Sequence, residues 1–554
     1  MRSNTILPLL ALTFALPVFA QQAPPPDSAI PATATPAPVT QSPPETPPPA
    51  PNAANTIRSN VQLVILDGVA IDAKGVPVTN LTQSDFHIVD DDQPQRIRNF
   101  DAPGRFTPSP DLTIDSTADL DRLAPHAPVN IVLLDEFTTH FEDMAFARYS
   151  LKKWLEKQPA KLDTPTMLAA VDFEHFTVLR DYTQNKDELI QALDHHFIAN
   201  PWRNSNFSWA NEQYNTAFNT LRRIAEASSG HQGHKNMIWL GRGLPTLNLS
   251  GIAVDAQRQT HTAIQLAVDE LRDARVTLYT IDPSGLTVEP GGGYGNDARL
   301  FAPFGGDPTF EALARETGGR TFHGTNDVDV QVGDSIRDGS SLYTLSYVPS
   351  NPSTDVNKFR RIKVTIDRPG ITFVTRQGYY PSIRPARLYP GGQAGKRLMS
   401  ELFDAASSNM VYDAVDFTVA ASPTDANDFK ISIQGNSMEW YITHDPAKPR
   451  FTRIIVIATT LDKKGKELNK DGRTYTFNAP LTAPATGRLH IPVGIAYKLK
   501  PDPKAVRVRF VARVEATGHM GTADFALAPG ATARSTGTEP TASATTPSAQ
   551  TQTP

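Results

Sequence analysis

Few residues in this chain are arranged for chemistry. Asp135 and Glu136 stand at the end of the apolar run 129–134, where two carboxylates could share acid–base work if both faced a cleft. Histidines occur in two close sets, His195 with His196 and His231 with His234. Zinc needs further ligands converging from elsewhere, and no motif supplies them, so these imidazoles read as solvated loop or helix-end residues. Asp90, Asp91 and Asp92 lack the alternating ligand pattern of a calcium loop and read as a solvated hairpin turn. The string from Gly291 to Gly295 is not followed by the helix and Lys-Ser/Thr of a phosphate cradle. No Gly-x-Ser-x-Gly occurs. With no cysteine anywhere, thiolate nucleophiles, disulfides, thiolate zinc sites and iron–sulfur clusters are excluded.

The elements that would hold these residues form a long chain. Its 554 residues predict about three domains, and a formal net charge of −5 argues against a broad nucleic-acid footprint. Residues 1–20 have the layout of a secretory signal peptide: an early arginine, an apolar stretch, then small residues before Gln21. No later stretch supplies about 18 uninterrupted apolar residues, so no integral membrane span is expected after signal cleavage. Residues 21–55 hold 12 of the 47 prolines and form a disordered, semi-stiff spacer; 529–554 has the same composition and reads as a disordered tail.

Between them, residues 57–105 alternate with the two-residue period of strands, but make only half a sandwich. From Val129 the rhythm changes to unbroken apolar strands (129–134, 167–173, 236–240 and 276–281) separated by helical spacing over 142–157, 185–197, 208–230 and 255–273. Strands alternating with helices predict a doubly wound α/β domain over 125–340. Strands return over 342–382, expected to complete the sandwich begun by 57–105. After a linker at 381–393, residues 395–528 read as a second sandwich. Trp202, Phe207, Trp209 and Tyr214 cluster before the 208–230 helix, as packing residues or as an exposed recognition surface.

The stretch LAAVDFEHFTVLRDYT (168–183), followed by NKDELI (185–190), resembles a von Willebrand factor type A domain, as do KNMIWLGRGLP (235–245) and VTLYTI (276–281). The flanks are similar to the VWFA-related domain family abundant in Acidobacteria, through VPVTNLTQSDFHIVD (76–90), LARETGGR (313–320), FRRIKV (359–364) and RQGYY (376–380). The resemblance implies a type A-like, Rossmann-like domain inserted in a β-sandwich, followed by an Ig/fibronectin-like sandwich.

It also implies a metal-ion-dependent adhesion site at the carboxyl edge of the sheet, where Mg or Ca would be held by Asp135 and Thr139. Those are the only positions that match the motif. Phe137 stands where a serine belongs, and Arg242 where an aspartate belongs. A fixed cation arriving as an aspartate is lost predicts an Asp135–Arg242 ion pair in place of the metal. The expectation is therefore an exported, periplasmic or extracellular, non-catalytic recognition protein without cofactor. It would engage a protein partner through Asp135, Thr139, Arg242 and the 286–306 loop. A carboxylate-based hydrolase using Asp135 and Glu136, or a structural envelope component tethered by the spacer, are the alternatives.

Overall fold

The computed structural model describes residues 63–173, 175–198, 207–243, 264, 267–285, 310–351, 359–379, 394–422, 425, 427–443, 450–483, 489–527, 532–534 and 550–552. The signal-like segment, the spacer, Trp202, the 286–306 loop with its glycine string and the 381–393 linker lie outside these residues.

The chain enters through β1 (Val64–Ile71), β2 (Phe86–Asp90), β3 (Gln93–Gln95) and β4 (Ile97–Asp101). In β1 the two-residue period holds over Val64, Ile65 and Leu66, buried, exposed and buried, and lapses at Val69 and Ala70, which are both buried. After α1 (Thr117–Leu123), capped by the Ser116 hydroxyl on the Asp119 amide at 3.1 Å, the α/β body begins. Its strands are β5 (Val129–Asp135), β6 (Lys161–Val171), β7 (Phe176–Asn185), β8 (Lys235–Leu240), β9 (Val276–Ile281) and β10 (Thr321–Phe322). Its helices are α2 (Phe141–Glu156), α3 (Lys186–His195), α4 (Phe207–Ala227), residues 267–273, α5 (Phe310–Glu316) and α6 (Val328–Ser340).

The sheet runs β10-β9-β8-β5-β6-β7, parallel except for β7. Every residue of β5, β8 and β9 is buried, because helices cover both faces. Leu134, Met144, Leu151, Leu189 and Val332 pack on one face, and Leu133, Leu221, Ile224, Leu271 and Leu313 on the other.

The chain then returns to the flank as β11 (Leu342–Tyr347), β12 (Arg360–Ile366), β13 (Thr372–Thr375) and β14 (Gly378–Tyr379). These strands interleave with the first four in two sheets, β13-β1-β11-β4 and β14-β12-β2-β3. Phe86, Tyr343 and Phe373 meet at the centre of their core, with ring centroids 5.2–6.5 Å apart. Gly68 lies under the Phe373 ring; a Cβ there would sit 2.5 Å from it.

Asp90 corrects the reading of the acidic string as a solvated turn. Only Asp91 and Asp92 form the turn, at φ 50° and 65°, the left-handed pair that a tight hairpin requires. Asp90 is fully buried. It accepts hydrogen bonds from Arg360 Nε at 2.9 Å and from the hydroxyls of Tyr347 and Tyr379 at 2.9 and 3.0 Å. The second flank thus delivers three partners to a carboxylate of the first.

The C-terminal module opens with a helix the sequence reading missed, α7 (Ala394–Ser407), where a sandwich was expected from 395. Its strands are β15 (Phe417–Ala421), β16 (Asp428–Ile433), β17 (Tyr441–Ile442), β18 (Arg450–Leu461), β19 (Glu467–Asn478), β20 (Val493–Lys498), β21 (Arg507–Val514), β22 (Met520–Ala526), β23 (Thr532–Arg534) and β24 (Gln550–Gln552). They form the antiparallel sheets β20-β16-β15-β23 and β22-β21-β18-β19-β24, with β17 beside β18. The segment read as a disordered tail therefore supplies two edge strands, since an open sheet edge offers unpaired backbone groups to any nearby chain. Leu402, Ala405 and Ala406 of α7, with Tyr412, Val511 and Met520, enter the same apolar core as Leu221 and Leu271 of the α/β body. Between its two sheets the C-terminal module keeps a core of its own, with Phe417, Ile431, Val456 and Phe510, so the two modules meet through α7 and one outer sheet face.

Candidate functional site

In the α/β sheet β5 leads to α2 on one face, while β8 leads toward the 267–273 helix on the other. Adjacent strands whose connections diverge leave a crevice at their carboxyl ends, where ligands bind in open α/β sheets. Asp135 ends β5 at this point, and residues 241–243 follow β8.

The carboxylate of Asp135 is fully buried and surrounded by donors. Oδ1 accepts from the amides of Phe137 at 3.3 Å and Thr138 at 2.9 Å. Oδ2 accepts from the Thr138 hydroxyl, from the Trp239 indole N–H at 2.9 Å and from the Gly243 amide at 3.2 Å. Burial pushes the Asp135 carboxyl up to about 6, and the donors of Thr138, Trp239 and Gly243 pull against it. A raised carboxyl contributes stability that is complete below its unfolded value near 3.8 and lost as pH rises through about 6. Asp135→Asn cannot titrate, so the stability of wild type relative to this variant should fall by up to about 3 kcal/mol between pH 4 and 7. Urea midpoints across that range measure it; a pH-independent difference would contradict the assignment.

The ion pair expected between Asp135 and Arg242 is not formed. The site uses the backbone of Arg242, whose amide donates to the Thr139 hydroxyl at 3.0 Å. Gly241 makes this possible by close approach: a Cβ there would lie 2.4 Å from Asp135 Cβ and 2.6 Å from Thr139 Oγ1. With the indole and the Gly243 amide already on Oδ2, no place remains for a guanidinium. Among the described residues the Arg242 side chain has no hydrogen-bond or ion-pair partner, and its charge acts on Asp143 instead. Asp143 is raised chiefly by burial, with His140 and Arg242 lowering it and Asp282 and Glu142 raising it.

The residues present do not fit a divalent cation. Magnesium and calcium need converging oxygen acceptors, whereas five N–H and O–H donors occupy the lone pairs of Asp135. The serine position holds Phe137, fully buried, its ring 5.8 Å from Phe173 and 6.2 Å from Trp239, which in turn meets Phe310 at 4.9 Å. These four rings form an aromatic cluster beside the Asp135 carboxylate. Thr139 is buried too, its hydroxyl committed to Arg242.

Glu136 does not share a cleft with Asp135. It is 3% exposed and 2.7 Å from His196 Nε2, so His196 is a pairing residue rather than a solvated one. His195 remains exposed, with Nδ1 2.8 Å from the Gln191 carbonyl. His231 and His234, also read as solvated, are 4% and 5% exposed and lie beneath the opposite edge of the sheet. A cavity of about 200 Å³ lies elsewhere, against β7, lined by Met167, Val178, Arg180 and Asn409 among others. The side chains of Phe207, Trp209 and Tyr214 fall outside the described residues.

Sequence reasoning missed Thr138, Trp239 and Gly243 as partners of Asp135. Trp239 sits in an apolar run that signals only core, and nothing in its spacing shows that its N–H reaches a carboxylate 104 residues earlier. Among the described residues no helix is long and apolar enough to cross a membrane.

No family model and no curated protein matches the chain. Among solved structures, an aerotolerance-related membrane protein from Bacteroides fragilis, carrying multiple mutations to serine, aligns at 9% identity over 38% of this chain and 98% of its own, with a TM-score of 0.24. The SpRpn10 VWA domain aligns at 13% identity over 29% of this chain and 89% of its own, with a TM-score of 0.16. Likeness this loose carries no weight here, and the strand order stands on its own.

Proposed function

We propose that this is a non-catalytic recognition protein, exported to the cell envelope or beyond. Its α/β body is a type A-like domain whose metal-dependent edge has been replaced by a closed polar clasp. On this reading the Ig/fibronectin-like C-terminal module is a rigid extension of that body. The supporting observation is the state of Asp135: it is fully buried with five protein donors on its two oxygens, so it faces neither a substrate nor a metal. A carboxylate hydrolase would need two carboxyl groups facing one cleft, and Asp135 and Glu136 are buried with separate partners.

The group left for a partner at this edge is Arg242. Its backbone is pinned to Thr139 and its guanidinium is uncommitted among the described residues. A planar donor fork suits a carboxylate on a protein partner, taking directly the contact that a metal would otherwise mediate. Retention of a partner from envelope extracts should fall at least about tenfold for Arg242→Glu. It should be unchanged for Lys464→Glu in the exposed turn between β18 and β19. Equal retention by both variants would remove this edge from the reading.

A further inference from the structure

We propose that the junction between the flank sandwich and the α/β body is an acid-released latch, in which protonation of His234 separates the two bodies while each keeps its own core.

The two neighbours of the α/β body are attached in different ways. The C-terminal module docks on the body through apolar side chains, Leu402, Ala405, Val511 and Met520 among them, whereas the flank core, built from Leu66, Phe86, Ile88, Tyr343 and Phe373, stands apart. What joins the flank near His234 is polar. Asp67, in the middle of β1, accepts from Arg275 Nε at 3.0 Å, from Arg275 Nη2 at 2.7 Å and from the Thr344 hydroxyl at 2.5 Å. Arg275 reaches it from the turn before β9, at φ 57°, a left-handed conformation that costs an arginine. Its carbonyl accepts from the Lys235 amide at 2.9 Å, and its Nη1 donates to the Gln232 carbonyl at 2.8 Å.

His234 lies against this clasp as its most distant member. Its Nδ1 is 3.5 Å from Asp67 Oδ2, a long contact to a carboxylate already held by Arg275, and among the described residues its buried Nε2 has no hydrogen-bond partner. A buried N–H left unmade costs free energy that water would restore on opening. The charges around the ring also disfavour its protonation in place. Arg275 and Lys235 act on it as cations, and Asp67 is the facing anion, already bidentate to Arg275. Farther round, Asp101 of β4 acts on Arg275, Arg376 beyond β13 acts on Asp67, and Asp121 and Asp413 act on Lys235. A charged His234 would compete with Arg275 for Asp67, whose two oxygens Arg275 already holds.

The signs of the titrations agree. Burial, helped by Arg275 and Lys235, holds His234 below the ordinary imidazole value against the weaker pull of Asp67. The closed state is therefore favoured in full above about pH 6.5 and loses that advantage as pH falls. Asp67 is itself held well below the carboxylate range, so its contribution is lost in the same direction at still lower pH. Lys235, pushed down to about 7 chiefly by burial, exerts its effect above neutrality and adds nothing on further acidification. Each pH unit below the imidazole value then multiplies the open-to-closed ratio by up to about tenfold.

The absence of cysteine allows a clean test in the full chain. Spin labels at Arg98→Cys on β4 and Tyr149→Cys on α2, both exposed, report the separation of the two bodies. One distance is expected at pH 7.5. A longer population should grow from pH 7 to 5, by up to about tenfold per pH unit below the imidazole value, with far-ultraviolet circular dichroism unchanged. In His234→Gln the population should not change over this range. If that variant does not fold, Thr344→Val, which removes one donor from Asp67, should shift the opening to higher pH. The latch is overturned by an unchanged distance in the wild-type background down to pH 5, by a transition that survives His234→Gln, by no shift in Thr344→Val, or by loss of dichroism together with separation.

Discussion

Arg360→Ala should cost the flank sandwich about 3–5 kcal/mol, the usual penalty for removing one partner of a buried ion pair. Arg360 and Asp90 have side chains 3% and 0% exposed, so water cannot replace the lost guanidinium. The two tyrosine hydroxyls would remain on Oδ2, while Oδ1 would lose Arg360 Nε. Arg360 also ties down the 351 turn, donating to the Asn351 carbonyl at 2.8 Å and to its side chain at 2.7 Å. Exchange of β2 and β12 amides with solvent should accelerate at least about a hundredfold, since each 1.4 kcal/mol is a factor of ten. Arg361→Ala, one residue on and exposed, should change it by less than about threefold. Comparable exchange in the two variants would show that Asp90 does not depend on its cation.

Phe137→Ser restores the residue type that the resemblance places at the metal site, and should damage the fold without creating a site. Truncating a fully buried phenylalanine costs about 3–5 kcal/mol through lost burial and the cavity left behind. Here the cavity would open between Phe173 and Trp239 and would admit a hydroxyl without an evident partner. Magnesium should still not bind, because the Trp239 indole and the Gly243 amide hold Asp135 Oδ2 irrespective of residue 137. Thermal unfolding of the α/β body and calorimetric magnesium titration measure the two parts. Tight, Asp135-dependent binding in either wild type or Phe137→Ser would refute the clasp as a replacement for the metal.

These two expectations differ in how visible their causes are in the sequence. The resemblance expects a serine at 137 and an aspartate at 242, so the departure of Phe137 and Arg242 from it is legible by position. What meets Asp135 instead is not. An arginine at that position suggests pairing by charge, yet Asp135 is met by an indole N–H, a hydroxyl and backbone amides. Which group reaches Asp135 depends on the path of residues 241–243, set by the contact of Gly241 with Asp135 and Thr139. Asp90 escaped for a related reason. Three consecutive aspartates look solvated because burial of a carboxylate requires a cation, and that cation lies 270 residues away. Helix α7 was hidden by its position after a proline-containing linker and before a long run of strands. Its Leu402, Ala405 and Ala406 do have helical spacing, but their use depends on two modules meeting.

The sequence by itself determined the local states. Two-residue alternation makes the outer strands, unbroken apolar runs make the covered parallel strands, and their order with helices makes a doubly wound sheet. These follow from short-range geometry, where side-chain period and backbone hydrogen bonding leave few alternatives. Tertiary structure alone decided which polar groups are buried and with whom: Asp135 with Trp239, Asp90 with Arg360, Glu136 with His196, and Asp67 with Arg275. A buried charge is tolerable only when partners from distant segments converge on it, and no short window of sequence contains that convergence.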